Sequence, residues 1–422
     1  MNNFQHLHPK MTRTYAGIDS HKDSHTIVFL NCFHEILGEI TIGSAPSEFP
    51  IFIKRVKKFI QPHTNLVFGF EDVSAYGRAF VKFLVEKNYI VKHVDASKVA
   101  TERGQVLHKT DSFDAECAAR VLINQFDKLP DANPQDKYWI LSTLVTRHAS
   151  ITKINVMIKN SLHALLGHNY PSYKKFFARL TAQSAIAFYE TYPSARHLEN
   201  VSVEELASFL KTASRGQNSI QKAELILTAV GNDNVPVNEF QDAQDFNILS
   251  LVRQIKNNFD ELDEVNKQIE KLLNHFDLPL RSMKGIDVLT EAKIISEIGD
   301  ISRFKNAAAL AKYAGVAPVT YASGMSALQM ANARGNRKLN DIFFKIALTT
   351  ITPFGTNKVL VHPIFYDYYQ KKVSEGKTKM QALKCVQRRL VNIIYNMMKH
   401  QRPYENLETS YLKADVNNAK TV

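Results

Sequence analysis

Cysteine is scarce in this chain of 422 residues: there are three, Cys32, Cys117 and Cys385, far apart. An odd, scattered set argues against a disulfide framework and a cysteine-based zinc site, and it fits a reducing, cytoplasmic compartment. No run of about 18 apolar residues occurs, so no membrane span is expected. Met1 to Thr12 is polar and lacks an apolar h-region, so it does not read as a signal peptide. Acidic residues are also in deficit, 41 against 53 Lys and Arg, for a net charge of +12. Such a surplus favours a polyanionic partner, because Lys and Arg neutralise phosphates and release their counterions. A basic protein with no polyanion is the alternative at this level. What remains is ordinary: 45% hydrophobic and 22% charged, in a chain long enough for two or three domains.

Against that deficit, four carboxylates stand out: Asp19, Glu71, Asp111 and Asp114. Asp19 follows the apolar run Tyr15-Ala16-Gly17-Ile18, and Glu71 follows Leu66 to Phe70. Asp111 and Asp114 are three apart, on one face of a helix. Converging carboxylates repel unless a cation holds them, and hard oxygen ligands suit Mg²⁺ or Mn²⁺. Such ions activate and stabilise the oxygens of a phosphoryl transfer. Taken singly, each acid has a plainer use: Asp19 as a turn residue, Asp111 as a helix cap, Glu71 in a solvated loop. It is their joint placement that points to chemistry.

Residues 14–42 predict three short strands, Thr14–Ile18, Thr26–Leu30 and Ile36–Ile42, whose brief joins favour antiparallel pairing. A helix over 47–60, strand Leu66–Phe70, helix Tyr76–Glu86, strand Tyr89–Val94 and a helix from Asp111 follow. This order gives a mixed sheet covered by helices, with the strands ending in Asp19 and Glu71 as neighbours. The layout resembles the RNase H/RuvC fold, and the four acids resemble its RuvC branch. His21 and His25 are spaced like zinc ligands on a helix, yet they fall on a turn and a strand; they read as solvated or core histidines. Lys109, two before Asp111, could meet a phosphate, balance the acids, or be solvated.

Pro130 to Pro134 reads as a linker. A long helix over 137–166 carries Arg147 and other basic residues on one side, either a nucleic-acid contact or solvated surface. Ser202 with Glu205 makes a capping box. Ile248, Ile255, Leu262, Ile269 and Phe276 are each seven apart, with Val252, Phe259, Asn266 and Leu273 as the companion seam. This is a coiled-coil signal over 248–276, paired either with the 137–166 helix or with another protomer. A further domain starts near Met283, where Lys284-Gly285-Ile286 and Glu297-Ile298-Gly299-Asp300 resemble a helix-hairpin-helix element. The expected division is 11–130, 131–280, 281–405 and a tail, 406–422.

Ser323-Gly324 is predicted as a loop. It precedes Arg334-Gly335-Asn336-Arg337-Lys338-Leu339, a basic turn that opens a helix. The serine is either a nucleophile whose phosphate meets Arg334, Arg337 and Lys338, or simply a turn residue. No histidine lies near it in sequence to complete a hydrolase triad. The segment from His362 to Arg389 mixes aromatic and basic residues, Lys384 and Arg388 among them, a composition suited to RNA or single strands; part of it is a packed helix.

Together these residues resemble the insertion-sequence transposases of the IS-110 type, relatives of the Piv and MooV DNA invertases. The likeness rests on Ala16-Gly17-Ile18-Asp19, Gly69-Phe70-Glu71 and Lys109 to Ala115 in the first half. In the second it rests on Gly285-Ile286, Glu297 to Asp300, Tyr313 to Pro318, Ser323-Gly324 and Arg334 to Leu339. The resemblance implies an α/β RuvC-like N-terminal domain, a long helical coiled-coil linker and a mainly α-helical C-terminal serine domain. It further implies a site-specific DNA recombinase or transposase in which Asp19, Glu71, Asp111 and Asp114 hold Mg²⁺ (or Mn²⁺) and Ser323 forms a phosphoserine link. Double-stranded DNA, a structured guide RNA and a homodimer or homotetramer are the implied partners, with Lys109, Arg147, Arg334, Asn336, Arg337, Lys338, Lys384 and Arg388 as nucleic-acid contacts. A RuvC-like junction endonuclease and a Piv-type invertase are the competing readings.

Overall fold

Five short apolar runs before residue 95 join into one sheet, in the order β3-β2-β1-β4-β5. In the computed structural model the described residues are 8–71, 75–104, 110–132, 136–216, 220–323, 326–330, 332, 335–355 and 359–404. They fall into two compact units, Met1–Asp136 and Lys137–Val422.

In the first unit, β1 (Arg13–Ser20), β2 (Ser24–Leu30) and β3 (Ile36–Gly43) form an antiparallel meander. Joins this short allow no other pairing. Helix α1 (Phe49–Val56) then crosses to β4 (Asn65–Glu71), and α2 (Arg78–Glu86) to β5 (Ile90–Val94). Both of these strands run parallel to β1, so the sheet is mixed as the sequence predicts. One face packs on α1 and α2 through an aromatic core of Phe29, Phe49, Phe52, Phe68 and Phe80. The other face packs on α4 (Asp111–Gln125), which follows α3 (Ala96–Arg103), a helix the sequence reading did not foresee.

The close fit of α4 has a specific cause. Gly17 on β1 and Gly69 on β4 are register partners in the centre of the sheet. A Cβ on Gly17 would sit 1.9 Å from the Ala115 carbonyl oxygen and 2.5 Å from the Ala119 nitrogen; one on Gly69 would sit 3.2 Å from the Ala118 oxygen. Two glycines facing three alanines let the helix backbone lie directly on the strands. That brings its first turn to the strand ends.

The second unit holds α5 (Asp136–Asn169), α6 (Gln183–Thr191), α7 (Val203–Ala213), α8 (Ile220–Asp233) and α9 (Gln241–Leu273). It continues with α10 (Val288–Ile298), α11 (Ala307–Tyr313), hairpin strands β6 (Val319–Ser323) and β7 (Ser326–Met330), α12 (Arg337–Ile351), α13 (Pro363–Ser374) and α14 (Lys379–His400). The capping box on Ser202 and Glu205 is present at α7. Gly231-Asn232, a pair that commonly marks a turn, lies inside the last turn of α8.

The heptad helix pairs within the chain. Asn258 donates from Nδ2 to Asn155 Oδ1 at 2.7 Å, and Arg147 meets Glu261 at 3.2 Å, so α9 runs antiparallel to α5. Ile248, Val252 and Ile255 enter one core with Ile158, Leu162 and Leu166. Val265, Ile269 and Leu273 enter a second core with Leu141, Ile151 and helices α10 to α14. Of the companion seam, Val252 and Leu273 are buried as expected, whereas Phe259 is 38% exposed and Asn266 half-buried, with the neighbouring Val265 taking the inward place.

Candidate functional site

Asp19 and Asp111 meet where the first unit's parallel strands end; Glu71 ends the neighbouring strand, and Asp114 lies one turn along the helix from Asp111. Asp19 is the penultimate residue of β1 and Glu71 the last of β4, each one residue beyond the register pair Ile18 and Phe70. Thr110 caps α4 by accepting from the Phe113 amide, which sets Asp111 and Asp114 in the first turn. There the helix dipole favours negative charge. Ser112 donates to Glu39 on β3 at 2.8 Å, so the same turn is tied to the sheet edge.

Asp19 and Asp111 are joined by His21. Its Nε2 lies 3.0 Å from Asp19 Oδ2 and 3.1 Å from Asp111 Oδ1. Ligand atoms of these three side chains all lie within 4.8 Å of one another, the set among the described residues with the spacing to hold a metal ion. Burial pushes the Asp19 carboxyl above its ordinary range; the His21 contact opposes this, and the nearby Asp114 and Asp111 charges reinforce it. Asp114 is buried and meets Arg103 Nη2 at 2.6 Å through Oδ1. The like charges are thus crowded and partly desolvated, an electrostatic setting that a divalent cation would relieve.

Neither His21 nor Arg103 was singled out as part of the acid site. His21 is exposed, as expected of a solvated histidine, and the tight turn closed by its amide and the Ser24 carbonyl, at 2.9 Å, also folds it back over Asp19. His25 is indeed core: fully buried on β2, its ring stacked 5.5 Å from that of Phe80.

Ser323 ends strand β6 and pairs in register with Ser326, so it belongs to a hairpin and not to the expected loop. The hairpin's base is pinned by backbone contact. A Cβ on Gly335 would lie 2.3 Å from Gly315 Cα, and Gly315 has φ +67°, a conformation natural to glycine. Asn336 caps α12 through Leu339 N and donates to Glu297 Oε2 at 2.8 Å; its amide reaches the Tyr313 carbonyl at 2.7 Å. Asn340 donates to the Ala314 and Gly315 carbonyls at 3.0 and 2.8 Å, and Lys384 donates to Asn340 Oδ1 at 3.2 Å.

Several residues expected at a nucleic-acid surface therefore also have partners inside the fold. Arg388 donates to the Ala307 carbonyl at 3.2 Å, and burial pushes the Arg388 and Lys384 pKa values down. Lys338 lies 3.5 Å from Glu297, and Arg147 pairs with Glu261. Arg337 is exposed at the start of α12. Lys109 and Arg334 lie outside the described residues.

Comparison with known proteins matches both halves. Residues 16–171 match a family model described as a transposase, of the DEDD IS110 type, and 278–369 match the transposase IS116/IS110/IS902 family. The IS116 insertion-element protein of Streptomyces clavuligerus is 24% identical over 406 residues, spanning 92% of this chain and 96% of that one. The IS110 insertion-element protein of Streptomyces coelicolor is 27% identical over 305 residues, 71% of this chain and 72% of that one. The pilin gene-inverting protein of Moraxella bovis is 30% identical over 154 residues, 35% of this chain and 46% of that one.

Proposed function

The chain belongs to the IS116/IS110/IS902 transposase family, and from that membership we propose that it is a site-specific DNA transposase that cuts and rejoins strands with a serine nucleophile. One observation supports the reading: Asp19 and Glu71 end the adjacent strands β1 and β4, and Asp111 and Asp114 lie in the first turn of α4, the helix packed on those strands. The RuvC-like assignment of this unit rests on the same strand order and acids. Asp19, Asp111 and His21 have the spacing for a hard divalent cation, Mg²⁺ or Mn²⁺, and in this reading Glu71 and Asp114 complete its ligands. When bound there, such a cation supplies charge neutralisation at the phosphate and a lowered pKa for the attacking hydroxyl.

The remaining work falls to the protein. Ser323 Oγ loses its proton and forms a bond to backbone phosphorus as one bridging P–O bond breaks; the released sugar oxygen takes up a proton. A sugar hydroxyl then attacks the phosphoserine and frees the serine. The phosphodiester energy is kept in the covalent link, so rejoining needs no nucleotide cofactor. Asp114, fixed by Arg103, and Asp111, fixed at the capped start of α4, hold their carboxylates in place beforehand. Residues Lys109, Arg147, Arg334, Asn336, Arg337, Lys338, Lys384 and Arg388 form the proposed nucleic-acid contacts, with a structured guide RNA and assembly into dimers or tetramers as further parts of the reading. Site-specific inversion is the second reading, favoured by the 30% identity to a gene-inverting protein.

Asp19→Asn tests the acid site. The variant should lose Mg²⁺-dependent cleavage of DNA carrying the sequences that flank the gene, and should bind Mn²⁺ more weakly by calorimetry. Cleavage and Mn²⁺ affinity both at the wild-type level would refute the metal site.

A further inference from the structure

Helices α5, α10 and α12 enclose a cleft of about 500 Å³; of its lining residues only Lys338 belongs to the contacts assigned above. Its size falls within the range of small-ligand sites, roughly 300–1,000 Å³. Val145, Ile342 and Ile346 give it apolar walls, and Thr290 and Ser296 bring hydroxyls. Four lysines line it, Lys153, Lys293, Lys338 and Lys345, against two acids, Glu297 and Asp341. Both acids are engaged: Glu297 lies 3.5 Å from Lys338, and Asp341 lies 2.7 Å from Lys345.

Lys293 is the informative member. It is half-buried, and no carboxylate of the described residues lies within ion-pair distance of it. Burial, foremost, and the neighbouring Lys345 charge push its pKa down, while the more distant Asp287 and Asp341 charges oppose the shift. A partly desolvated ammonium beside a second ammonium, with no carboxylate at ion-pair distance, favours an anion that joins it. An anion alone would leave the apolar walls without a partner. A group with one anionic end and one flat apolar body satisfies both.

We propose that the cleft takes one unstacked nucleotide of a single strand, with its base against Val145, Ile342 and Ile346 and its phosphate at Lys293. Splayed bases lodged on apolar surface beside a basic contact are a common mode of single-strand recognition. The proposal rests on the nucleic-acid reading above and deepens it. Glu297 links the cleft to the serine hairpin: its Oε1 faces Lys338 and its Oε2 accepts from Asn336 at the hairpin's base. A strand held in the cleft therefore lies close to Asn336, at the base of the hairpin to which Ser323 belongs.

The test uses the full chain with short fluorescein-labelled oligo(dT) and oligo(U), followed by fluorescence anisotropy over a range of salt. Lys293→Gln removes the charge; Ala149→Trp, at an exposed position of α5 lining the cleft, fills the space without altering charge. Lys293→Gln should weaken binding about threefold to tenfold and lower the slope of log affinity against log salt by about 0.7. Ala149→Trp should weaken binding with the slope unchanged, and Lys293→Arg should restore it. The oligonucleotide that loses more names the strand as DNA or RNA. Wild-type affinity and slope in both Lys293→Gln and Ala149→Trp would overturn the proposal, as would failure of the wild-type chain to bind either oligonucleotide. Metal-dependent DNA cleavage, measured on the same preparations, separates the two claims. Cleavage with unaffected cleft variants removes only the cleft, whereas cleft-dependent binding without cleavage removes only the transposase reading.

Discussion

His25 and His21 are four residues apart and experience opposite surroundings. His25 has no hydrogen-bond partner among the described residues on either ring nitrogen, and it is fully buried against Phe80 and Phe49. Burial, and to a lesser degree His21, pushes its pKa below the ordinary 6.5. The unfolded chain therefore takes a proton there as pH falls through that value while the folded chain does not. The stabilisation is present above about pH 6.5 and is lost as pH falls, by up to about 1.4 kcal/mol per pH unit. His25→Phe should melt with less loss between about pH 7.5 and about pH 5.5 than the wild type. Parallel melting curves would show that His25 does not carry the acid sensitivity. Such roles are hard to read in sequence. Asp19, Glu71, Asp111 and Asp114 were legible because each ends a strand or opens a helix. His21 and Arg103 reach the acids only through the folded path of a turn and a helix end. Asn336, expected as a nucleic-acid contact, also caps α12, an ordinary duty of asparagine that the sequence pattern does not separate from binding.

Helix α4 and its glycine notch decide whether the acids meet at all. Gly17→Ala places a methyl against helix backbone, which cannot turn aside as a flexible side chain can. We expect a loss of roughly 1–3 kcal/mol in denaturant unfolding together with weakened Mn²⁺ binding. Lost stability with unchanged metal affinity would mean that α4 does not set the acid geometry. For α5 and α9, Asn258→Leu alone should destabilise by about 1–3 kcal/mol because it strands the Asn155 amide, and adding Asn155→Leu should recover most of that. Additive losses in the double variant would argue against the pairing. Most elements were legible because their apolar periods are regular. The exceptions have local causes: α3 has one buried apolar residue, Val99, and strand β6 ends in Ala322 and Ser323, poor strand formers that read as a loop. The seven-residue repeat on α9 predicted a long paired helix and the buried Val252 and Leu273 of its companion seam, but not that Val265 takes the inward place beside Asn266.

At the scale of the whole chain, the acids lie in the first unit and Ser323 in the second. The sequence alone could match both halves to one family but could not say how they cooperate. We propose that acids and serine serve one reaction. This is tested by incubating the protein with labelled DNA carrying the gene's flanking sequences and resolving the products under denaturing conditions. Wild-type protein with Mg²⁺ should give a protein–DNA adduct mapping to the peptide that contains Ser323, and the adduct should be absent from both Ser323→Ala and Asp19→Asn. Cleaved DNA with no adduct, or an adduct that persists in Ser323→Ala, would contradict it.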